Sequence, residues 1–432
     1  MKNVLICLEQ LNIGGIETFT ITQVKALSRK KINCYILAKD GLLKEKISNN
    51  KYIHFLEFDF KLENNINFNK VKEIENIIIS KKIDSIIIHQ FPCIPYLLPV
   101  IFKLKIPYFA YLHSVVPKTC EWFMKTYDIY NVLFPLYFKN ASKIIAITKS
   151  VQEENSHLFN IPKEKYIVLN NSLDFTEYKK KEKIILKYPF TNFLLISRLS
   201  KEKEVSINTA INFFKSYKEK YNSLAKLIIA GDGDIYNKLE NQYSNDSIIF
   251  IGAVKDVAEV MNEADVVLGV DRCILESIAS QKPSIICSYN GKLILVTPKN
   301  IKDATKENFT GNNIEENINE LFSTSEKKLK EIINDNYNFI VKNLNIDDHI
   351  LTTIEPFKLE DDLYSVFNNL NYYSDKIKKL EEENKKLYLR NQDCYKKINE
   401  LEKKINGQNK HLSIIYRLVR KIKNRGGKSN GL

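Results

Sequence analysis

The hydrophobic and polar positions of the chain alternate between short apolar runs and longer stretches with helical spacing. In the first part of the chain, apolar runs that favour strands lie at 3–8, 33–38, 85–89, 107–112, 143–147 and 166–169. A second series of such runs lies at 193–196, 226–230, 248–251 and 266–268, and continues after Pro283. Because helical stretches separate most of these runs, the pattern predicts an α/β protein with two doubly wound, Rossmann-like domains that face a cleft.

The same pattern divides the chain into consecutive parts. Length alone favours two domains with additional material, since 432 residues exceed one ordinary domain. The predicted parts are a first domain at 1–176, a lysine-rich linker at 177–190, a second domain at 191–346, a further segment at 347–370, a coiled coil at 374–406 and a basic amphipathic tail at 411–432.

The coiled coil is predicted from heptad spacing. Apolar residues follow one another in steps of three and four, with Asn384 and Asn391 at intermediate a-type positions. Asn at an a position lowers stability but fixes the register and favours a parallel pair, so we expect a homodimer. The alternative is a single solvated helix that is stabilised by its charge pairs. The apolar positions of this grid are Ile377, Leu380, Leu387, Cys394, Ile398, Leu401 and Ile405.

Charge changes the picture at the end of the chain. Lys and Arg outnumber Asp and Glu by 65 − 52 = 13, and much of the excess lies in residues 373–432. The segment 411–425 has no acidic residue and clusters apolar side chains on one face, which suits a helix in an anionic membrane surface. A nucleic-acid role is the alternative for this tail. Since the chain offers no stacking platform or base-reading helix, we expect no nucleic-acid partner.

The apolar segments and the cysteines favour a cytoplasmic protein without membrane spans. The first apolar run is too short for a signal peptide, and the most hydrophobic region, 96–116, is interrupted by Lys103, Lys105 and Pro107. The seven cysteines form no C-x-x-C pair, and several lie in strand-like runs, as reduced core residues do. Together with the basic tail, this predicts a peripheral protein at the inner face of the plasma membrane.

Two glycine turns are the first candidates for ligand binding. Gly14 and Gly15 follow the first strand and open a helix, where the backbone can approach a ligand closely. Gly231 and Gly233 follow the strand at 226–230, and the free amides of this turn are placed to face an anion. A glycine turn alone is weak support for a binding site, so charged side chains at the ends of other strands are needed as further evidence.

Charged side chains follow other predicted strands. Glu276 is expected in the first turn of a short helix that opens near Ile274, where it either serves a ligand or caps its own helix. His113 directly follows an inner strand and is either a ligand contact or a structural histidine. Arg198 and Lys203 flank a strand-to-helix turn, where they either meet a phosphate or are two surface cations.

In this order along the chain, the motifs resemble those of the retaining glycosyltransferases with two Rossmann-like domains. This is the GT-B fold of family 4, also described as glycosyl transferases group 1. The resemblance implies that the segment 347–370 is a crossover segment that returns to the first domain. The resemblance runs from the first strand to about Asn312. It rests on Gly14-Gly15-Ile16-Glu17, Tyr111-Leu112-His113, Asn171-Ser172-Leu173-Asp174, Ser197-Arg198-Leu199 with Lys203, Ala230-Gly231-Asp232-Gly233, and Glu276 on its helix.

The resemblance implies a nucleotide-sugar donor, such as a UDP- or GDP-sugar, and neither a metal nor another cofactor. Arg198 and Lys203 would grip the donor diphosphate, and His113 would contact the donor sugar. Glu276 would accept hydrogen bonds from the ribose, and Glu17 would bind the acceptor. The leaving phosphate itself would help to deprotonate the acceptor, so no protein nucleophile is expected. The other donor-binding positions are Gly14, Gly15, Gly231, Gly233, Gly269 and Arg272.

One position departs from the family pattern. The family usually carries two glutamates with seven residues between them, and Leu268 stands where the first is expected. Gly269 follows, and the turn up to Arg272 resembles a variant group in which an arginine follows the glycine turn. Either Asp271 or Arg272 is expected to replace the missing contact with the sugar or the phosphate. The segment 291–312 resembles a stretch of the same variant group, or is an ordinary surface loop.

The expected function is transfer of a hexose-type sugar, with retention, to a lipid-linked or polymeric glycan acceptor in the synthesis of a bacterial surface polysaccharide. One alternative is a catalytically weak member that binds the acceptor and supports a partner enzyme, because Leu268 replaces an acidic residue. The other alternative is a coiled-coil scaffold. Arg198, Lys203 and Glu276 argue against the scaffold, since a dead site has no physical need for them.

Overall fold

The computed structural model describes residues 2–47, 49–62, 66–113, 116–178, 184, 186, 188–354, 386, 389–390, 392–397 and 400. The chain separates into two compact units, Met1–Glu360 and Asp361–Leu432. In the second unit the described residues are helical and exposed. The predicted basic tail, and most of the predicted coiled coil and crossover segment, lie outside the described residues. Within the described part, no helix is both long enough and apolar enough to span a bilayer.

The first half of the larger unit, residues 2–178, is built on a seven-stranded parallel sheet. Its strands are β1 (Asn3–Gln10), β2 (Asn33–Lys39), β3 (Ile53–Glu57), β4 (Ser85–Ile88), β5 (Tyr108–Leu112), β6 (Lys143–Ala146) and β7 (Tyr166–Val168). Their order in space is β3-β2-β1-β4-β5-β6-β7. The inner strands β4 and β5 are buried along their whole length, which explains their continuous apolar runs. β3 is absent from the predicted strands because it is an edge strand whose residues are mostly half-buried.

Helices connect these strands as the alternating pattern predicts. They are α1 (Gly15–Arg29), α2 (Phe68–Ser80), α3 (Ile94–Leu104), α4 (Val116–Thr126), α5 (Tyr130–Asn140) and α6 (Lys149–Phe159). Asn67 and Thr148 cap α2 and α6, because their side chains accept hydrogen bonds from amides of the first helical turn. α1 differs, since its N-cap is Gly14, which has no side chain to offer to the first amides.

The second half of the larger unit, residues 188–343, is built on a six-stranded sheet. Its strands are β8 (Asn192–Ile196), β9 (Lys226–Ala230), β10 (Ile248–Gly252), β11 (Val266–Gly269), β12 (Ser284–Cys287) and β13 (Leu293–Leu295). They lie in the order β10-β9-β8-β11-β12-β13, and only β13 of these is antiparallel to its neighbour. The short β13 is absent from the predicted strands. The two sheets confirm the predicted α/β fold of the GT-B type.

The helices of the second half include the one that carries Glu276. They are α7 (Glu204–Lys220), α8 (Tyr236–Tyr243), α9 (Val257–Glu263), α10 (Arg272–Ala279), α11 (Ile301–Lys306), α12 (Asn319–Ser323) and α13 (Glu326–Asn343). Every residue of α10 is buried. Because α10 begins at Arg272 and not near Ile274, Glu276 lies in its second turn. The alternative in which Glu276 caps its own helix is therefore wrong, since a cap needs the amides of the first turn.

The chain returns to the first half after α13. α14 (Ile346–His349) lies against α1. The Leu173 amide donates to the backbone oxygen of residue 344, and the Leu173 oxygen accepts from the Ile346 amide, each at 3.0 Å. Further along, the Lys2 ammonium donates to the Ile354 oxygen. The last described residues of this unit therefore lie beside its first strand.

Candidate functional site

The predicted site residues follow the carboxyl ends of strands in both sheets. Gly14 lies after β1, His113 after β5 and Arg198 after β8, whereas Asp271 lies after β11. In parallel sheets, ligands bind outside these ends of the strands. The fold thus places residues that are far apart in the sequence in positions where they can contact one ligand.

The turn before α1 brings together a carboxylate and a cation from the two halves. A Cβ on Gly14 would lie 2.2 Å from Glu17 Oε2 and 3.4 Å from Arg198 Nη2, so a larger residue does not fit without movement. Gln90 Nε2 donates to Glu17 Oε1 at 3.0 Å. Burial raises the pKa of Glu17, while its hydrogen bonds and the charge of Arg198 oppose that rise. The start of α1, which Gly14 does not cap, therefore lies beside both the Glu17 carboxylate and the exposed Arg198 guanidinium.

Two glycines support the segment that carries Arg198. Gly231 and Gly233 have φ values of +149° and +158°, and Cβ atoms there would lie 1.8 Å from Ser197 O and 2.3 Å from Leu199 O. The Leu199 amide also donates to the carbonyl oxygen between the two glycines, at 3.0 Å. The close approach explains why this turn needs glycine. Direct contact of these glycines with a donor stays a prediction.

Lys203 is paired with a carboxylate at the start of α10. Its Nζ lies 2.9 Å from Asp271 Oδ2, and the Tyr289 hydroxyl donates to the same oxygen at 2.7 Å. Burial and the neighbouring Asp271 carboxylate raise the pKa of Tyr289. Asp271 has φ +60° and ψ −139°, and a residue other than glycine in such a sparsely populated region costs about 1–3 kcal/mol. The surrounding contacts therefore hold this carboxylate beside Lys203 against backbone strain.

Arg272 and Glu276 form a buried ion pair on one face of α10. Arg272 Nε donates to Glu276 Oε1 at 2.8 Å, and the two side chains are only 10% and 7% exposed. The other guanidinium nitrogens reach the first half, where Nη1 donates to Ser172 O and Nη2 donates to Thr22 Oγ1, each at 3.3 Å. Burial raises the pKa of Glu276, and Arg272 opposes that rise. Arg272 therefore links α10 to α1, and its predicted contact with the donor stays a prediction.

His113 ends a chain of polar side chains in which Gln23 and His89 are buried and His113 is half-buried. His113 Nε2 lies 2.8 Å from His89 Nδ1, and His89 Nε2 lies 2.9 Å from Gln23 Oε1. Tyr111 stacks on His113 with 4.8 Å between the ring centroids. Burial, and to a smaller extent the charge of Arg272, lower the pKa of His113 to about 3. His113 is therefore neutral near pH 7.

The loop after α11 holds the turn that carries Asp271. Asn171 Nδ2 donates to Asn308 Oδ1 at 2.8 Å, and the Asp271 amide donates to Phe309 O at 3.2 Å. Phe309 is also buried, at 2% exposure. This part of the segment 291–312 connects the asparagine motif of the first half to the turn after β11. It is therefore not the ordinary surface loop that was the alternative for this segment.

Position 268 lies inside β11 and not in the turn after it, which carries Asp271. Leu268 is fully buried inside β11 and pairs with Leu195 of β8 and Ile285 of β12. A Cβ on the next residue, Gly269, would lie 2.4 Å from Cys273 Sγ, so Gly269 allows α10 to pack closely on its strand.

Among the described residues, no group of three His, Cys, Asp or Glu side chains is placed to hold a metal ion.

Sequence reasoning does not single out Gln23, His89, Gln90 or Tyr289 as site residues. His89 and Gln90 follow β4 directly, and polar residues at the carboxyl end of an inner strand are a signal that could have found them. Tyr289 follows β12 in the same way. Gln23 lies inside α1, where nothing local distinguishes it from an ordinary helical residue.

Sequence comparison assigns both halves to glycosyltransferase families. Residues 13–177 match the family model described as Glycosyltransferase Family 4. Residues 191–309 match the family model described as Glycosyl transferases group 1. The two matches follow one another in the order of the two sheets. No curated protein sequence matches the chain.

Solved structures share the fold at low sequence identity. HepE of Anabaena, solved in complex with UDP-glucose, has a TM-score of 0.59 and 15% identity, covering 82% of this chain and 99% of HepE. A glycosyltransferase from Rickettsia africae has a TM-score of 0.57 and 14% identity, covering 82% and 97% of the two chains. TarM of S. aureus has a TM-score of 0.55 and 13% identity, covering 82% and 99%. These similarities establish the arrangement of the two sheets.

Proposed function

Because the chain belongs to the glycosyltransferases, with a family 4 segment followed by a group 1 segment, we propose that it transfers a hexose-type sugar from a nucleotide-sugar donor. The proposed transfer proceeds with retention onto a lipid-linked or polymeric glycan in surface polysaccharide synthesis. The observation that carries the proposal is the approach of Arg198 to the uncapped start of α1 at Gly14. HepE with UDP-glucose and TarM with UDP support the class of donor.

The donor diphosphate is proposed to lie between Arg198, Lys203 and the start of α1. Breaking the bond from the anomeric carbon leaves negative charge on the β-phosphate, and fixed cations and amides stabilise that charge. A Cβ on Gly15, the first residue of α1, would meet nothing within 4 Å, so a phosphate has room to approach the backbone. This arrangement supplies both charged and neutral donors, and the proposed mechanism uses no protein nucleophile.

Glu276 is proposed to accept hydrogen bonds from the ribose hydroxyls of the donor. A buried carboxylate binds hydroxyls best when it is ionised, and burial alone disfavours that form. The Nε–H of Arg272 occupies Glu276 Oε1, which favours the ionised form and leaves Oε2 for a ligand. In this proposal Arg272 acts on the donor through Glu276 and not by touching the phosphate.

Asp271 is the better candidate to replace the acidic residue that the family carries near position 268. Three nitrogens of Arg272 already donate to protein acceptors. Asp271 Oδ2 accepts from Lys203 and Tyr289, whereas Oδ1 accepts no hydrogen bond from the residues that the structure describes. We therefore assign the contact with a sugar hydroxyl to Asp271 Oδ1.

The donor site is tested by a thermal-shift panel of uridine, guanosine and adenosine diphosphates and their sugar conjugates. A ligand at about a hundred times its dissociation constant stabilises the folded protein by ~2.7 kcal/mol. We expect one nucleotide to raise the melting temperature of the native chain and to have no such effect on Glu276→Ala. Glu259→Ala, which changes an exposed glutamate of α9, is the matched control and should keep the full ligand-induced shift.

The outcome of the panel also separates the proposal from its main alternative. Absence of a shift with every nucleotide would move the assignment to a catalytically weak partner that binds only the acceptor. Leu268, buried in β11 with no acidic residue at its position, is the observation that favours that alternative. A shift that survives in Glu276→Ala would keep the donor site and remove Glu276 from it.

Dimerisation and membrane binding are proposed for residues 374–432 from their heptad spacing and basic composition. A chain that ends at Asn371 is expected to keep transfer to a soluble acceptor, because the two sheets do not include the removed residues. It is expected to lose dimerisation, measured by sedimentation, and binding to anionic vesicles, measured by flotation. Uncharged vesicles are the control. A monomeric full-length chain would contradict the coiled coil.

A further inference from the structure

Three side chains from separate elements form one continuous hydrogen-bonded chain behind the proposed site. Gln23 lies in α1, His89 follows β4 and His113 follows β5. Both ring nitrogens of His89 are used, Nε2 toward Gln23 Oε1 at 2.9 Å and Nδ1 toward His113 Nε2 at 2.8 Å. His89 is only 3% exposed, so it does not reach a ligand itself.

With the Gln23 amide oxygen facing His89, the order of donors and acceptors along the chain sets the positions of the protons. An amide oxygen only accepts, so His89 Nε2 must carry a proton to bond with Gln23 Oε1. In a neutral imidazole the other nitrogen is then an acceptor, so His89 Nδ1 accepts from His113 Nε2–H. Neutral His113 in turn keeps a lone pair on Nδ1. Burial lowers the pKa of both histidines, which agrees with neutral rings.

Aromatic neighbours restrict the rings of both histidines. Tyr111 stacks on His113 with an interplanar angle of 16°, and the Tyr111 and His89 ring centroids lie 4.9 Å apart. Phe19 packs edge-on against His113, with 5.7 Å between the centroids. A rotation of His113 would break both the stacking on Tyr111 and the bond to His89. The packing therefore holds the ring in one orientation, and the hydrogen bonds set its proton.

We propose that Gln23 and His89 are positioning residues that hold His113 in the Nε2–H tautomer, so that His113 Nδ1 accepts a hydrogen bond from a hydroxyl of the transferred sugar. The functional part rests on the proposed sugar transfer, whereas the tautomer does not. A neutral His113 accepts a hydrogen bond from a hydroxyl through Nδ1, and it contributes no positive charge that would stabilise the leaving phosphate. His113 thus contributes to the choice of sugar, and the charge of the leaving group falls to Arg198 and Lys203.

The tautomer is tested on the full chain by nitrogen-15 NMR with labelled histidine, using His113→Asn and His89→Leu to assign the signals. We expect a protonated, pyrrole-type Nε2 and an unprotonated, pyridine-type Nδ1 at His113. Gln23→Glu replaces the amide by a carboxylate, which in its ionised form accepts hydrogen bonds and donates none. This variant should keep the same pattern of protonation. A pyrrole-type Nδ1 at His113 in the native chain would mean that the Gln23 amide presents its nitrogen to His89, and would overturn the proposal.

The link to the sugar is tested by kinetics with donors that lack single hydroxyls. Loss of one hydrogen bond corresponds to about tenfold in kcat/KM. With the native chain, one deoxy-sugar donor should have a kcat/KM about tenfold below that of the complete donor. With Gln23→Met or His89→Leu, the two donors should have the same kcat/KM. Binding of the nucleoside diphosphate should be unchanged in both variants. His157→Leu, at an exposed histidine of α6, is the matched control.

The two experiments separate failure of this inference from failure of the proposed function. If no nucleotide binds, the proposed function fails, and the NMR pattern still decides the tautomer. If nucleotides bind but every deoxy-sugar donor loses activity equally in the native chain and in both variants, the positioning role of His89 and Gln23 is contradicted. Weaker binding of the nucleoside diphosphate in Gln23→Met would assign Gln23 a general structural role, and would also contradict its role in positioning His113.

Discussion

Arg272→Met is expected to lower the free energy of unfolding by about 3–5 kcal/mol, because it leaves the buried Glu276 carboxylate without its cation. The two side chains are 10% and 7% exposed, so solvent compensates little for the lost 2.8 Å contact. The same substitution removes the donors to Ser172 O and Thr22 Oγ1 in the first half. Urea unfolding of the native chain and the variant measures the difference.

The double variant Arg272→Met, Glu276→Gln is the control for this effect. It removes both charges, so we expect it to recover much of the lost stability. Removal of Arg272 raises the pKa of Glu276 further above its unfolded value, and such a group binds its proton more tightly in the folded state. The deficit of the single variant should therefore be smaller near ~pH 5 than near ~pH 8. A double variant as unstable as the single one would assign the loss to packing and to the bonds with the first half.

Lys203→Ala is expected to lower kcat/KM about 30- to 1000-fold, if Lys203 meets the charge that develops on the leaving phosphate. This factor corresponds to a loss of ~2–4 kcal/mol of transition-state stabilisation. Its ammonium is already ordered in the free protein by Asp271 at 2.9 Å, so little side-chain freedom is lost when a phosphate arrives. Steady-state kinetics with saturating acceptor measure the effect. Binding of the nucleoside diphosphate should weaken less than kcat/KM falls, because the charge is largest in the transition state.

Lys201→Ala is the matched control for Lys203→Ala. Lys201 is exposed and lies in the same short 3₁₀ turn, Lys201–Lys203, so it reports the general effect of removing a positive charge nearby. We expect a change of less than about twofold, as for a screened surface charge. Equal losses in both variants would indicate a general electrostatic effect, and an unchanged rate in Lys203→Ala would remove Lys203 from the site.

The sequence predicts most of the fold because buried parallel strands leave a strong pattern. β4 and β5 are buried throughout and appear as unbroken apolar runs. The half-buried β3 and the three-residue β13 leave no such pattern, and both are missed. The start of α10 is placed two residues late because Asp271 breaks the helical spacing with a positive φ, which no local sequence rule indicates for this aspartate.

The candidate site is predictable where it follows from the strand ends, and not where it depends on long-range contacts. The carboxyl-end rule places Gly14, His113 and Arg198 correctly at the ends of their strands. The pairing of Arg272 with Glu276 is an i, i+4 contact that the correct helix start would have predicted. The bond between Gln23 and His89 joins residues 66 positions apart, and a single sequence contains no information on such a pair.

The contact between Lys2 and the Ile354 oxygen has a consequence for how such a protein can diverge. The polypeptide path from residue 2 to residue 354 passes through both sheets and ends where it began, so it is nearly a closed ring. Joining these ends and opening the ring in another exposed loop would preserve every strand pair and every contact of the site. We therefore expect a circularly permuted chain to keep the spatial arrangement of the two sheets while their order along the sequence changes.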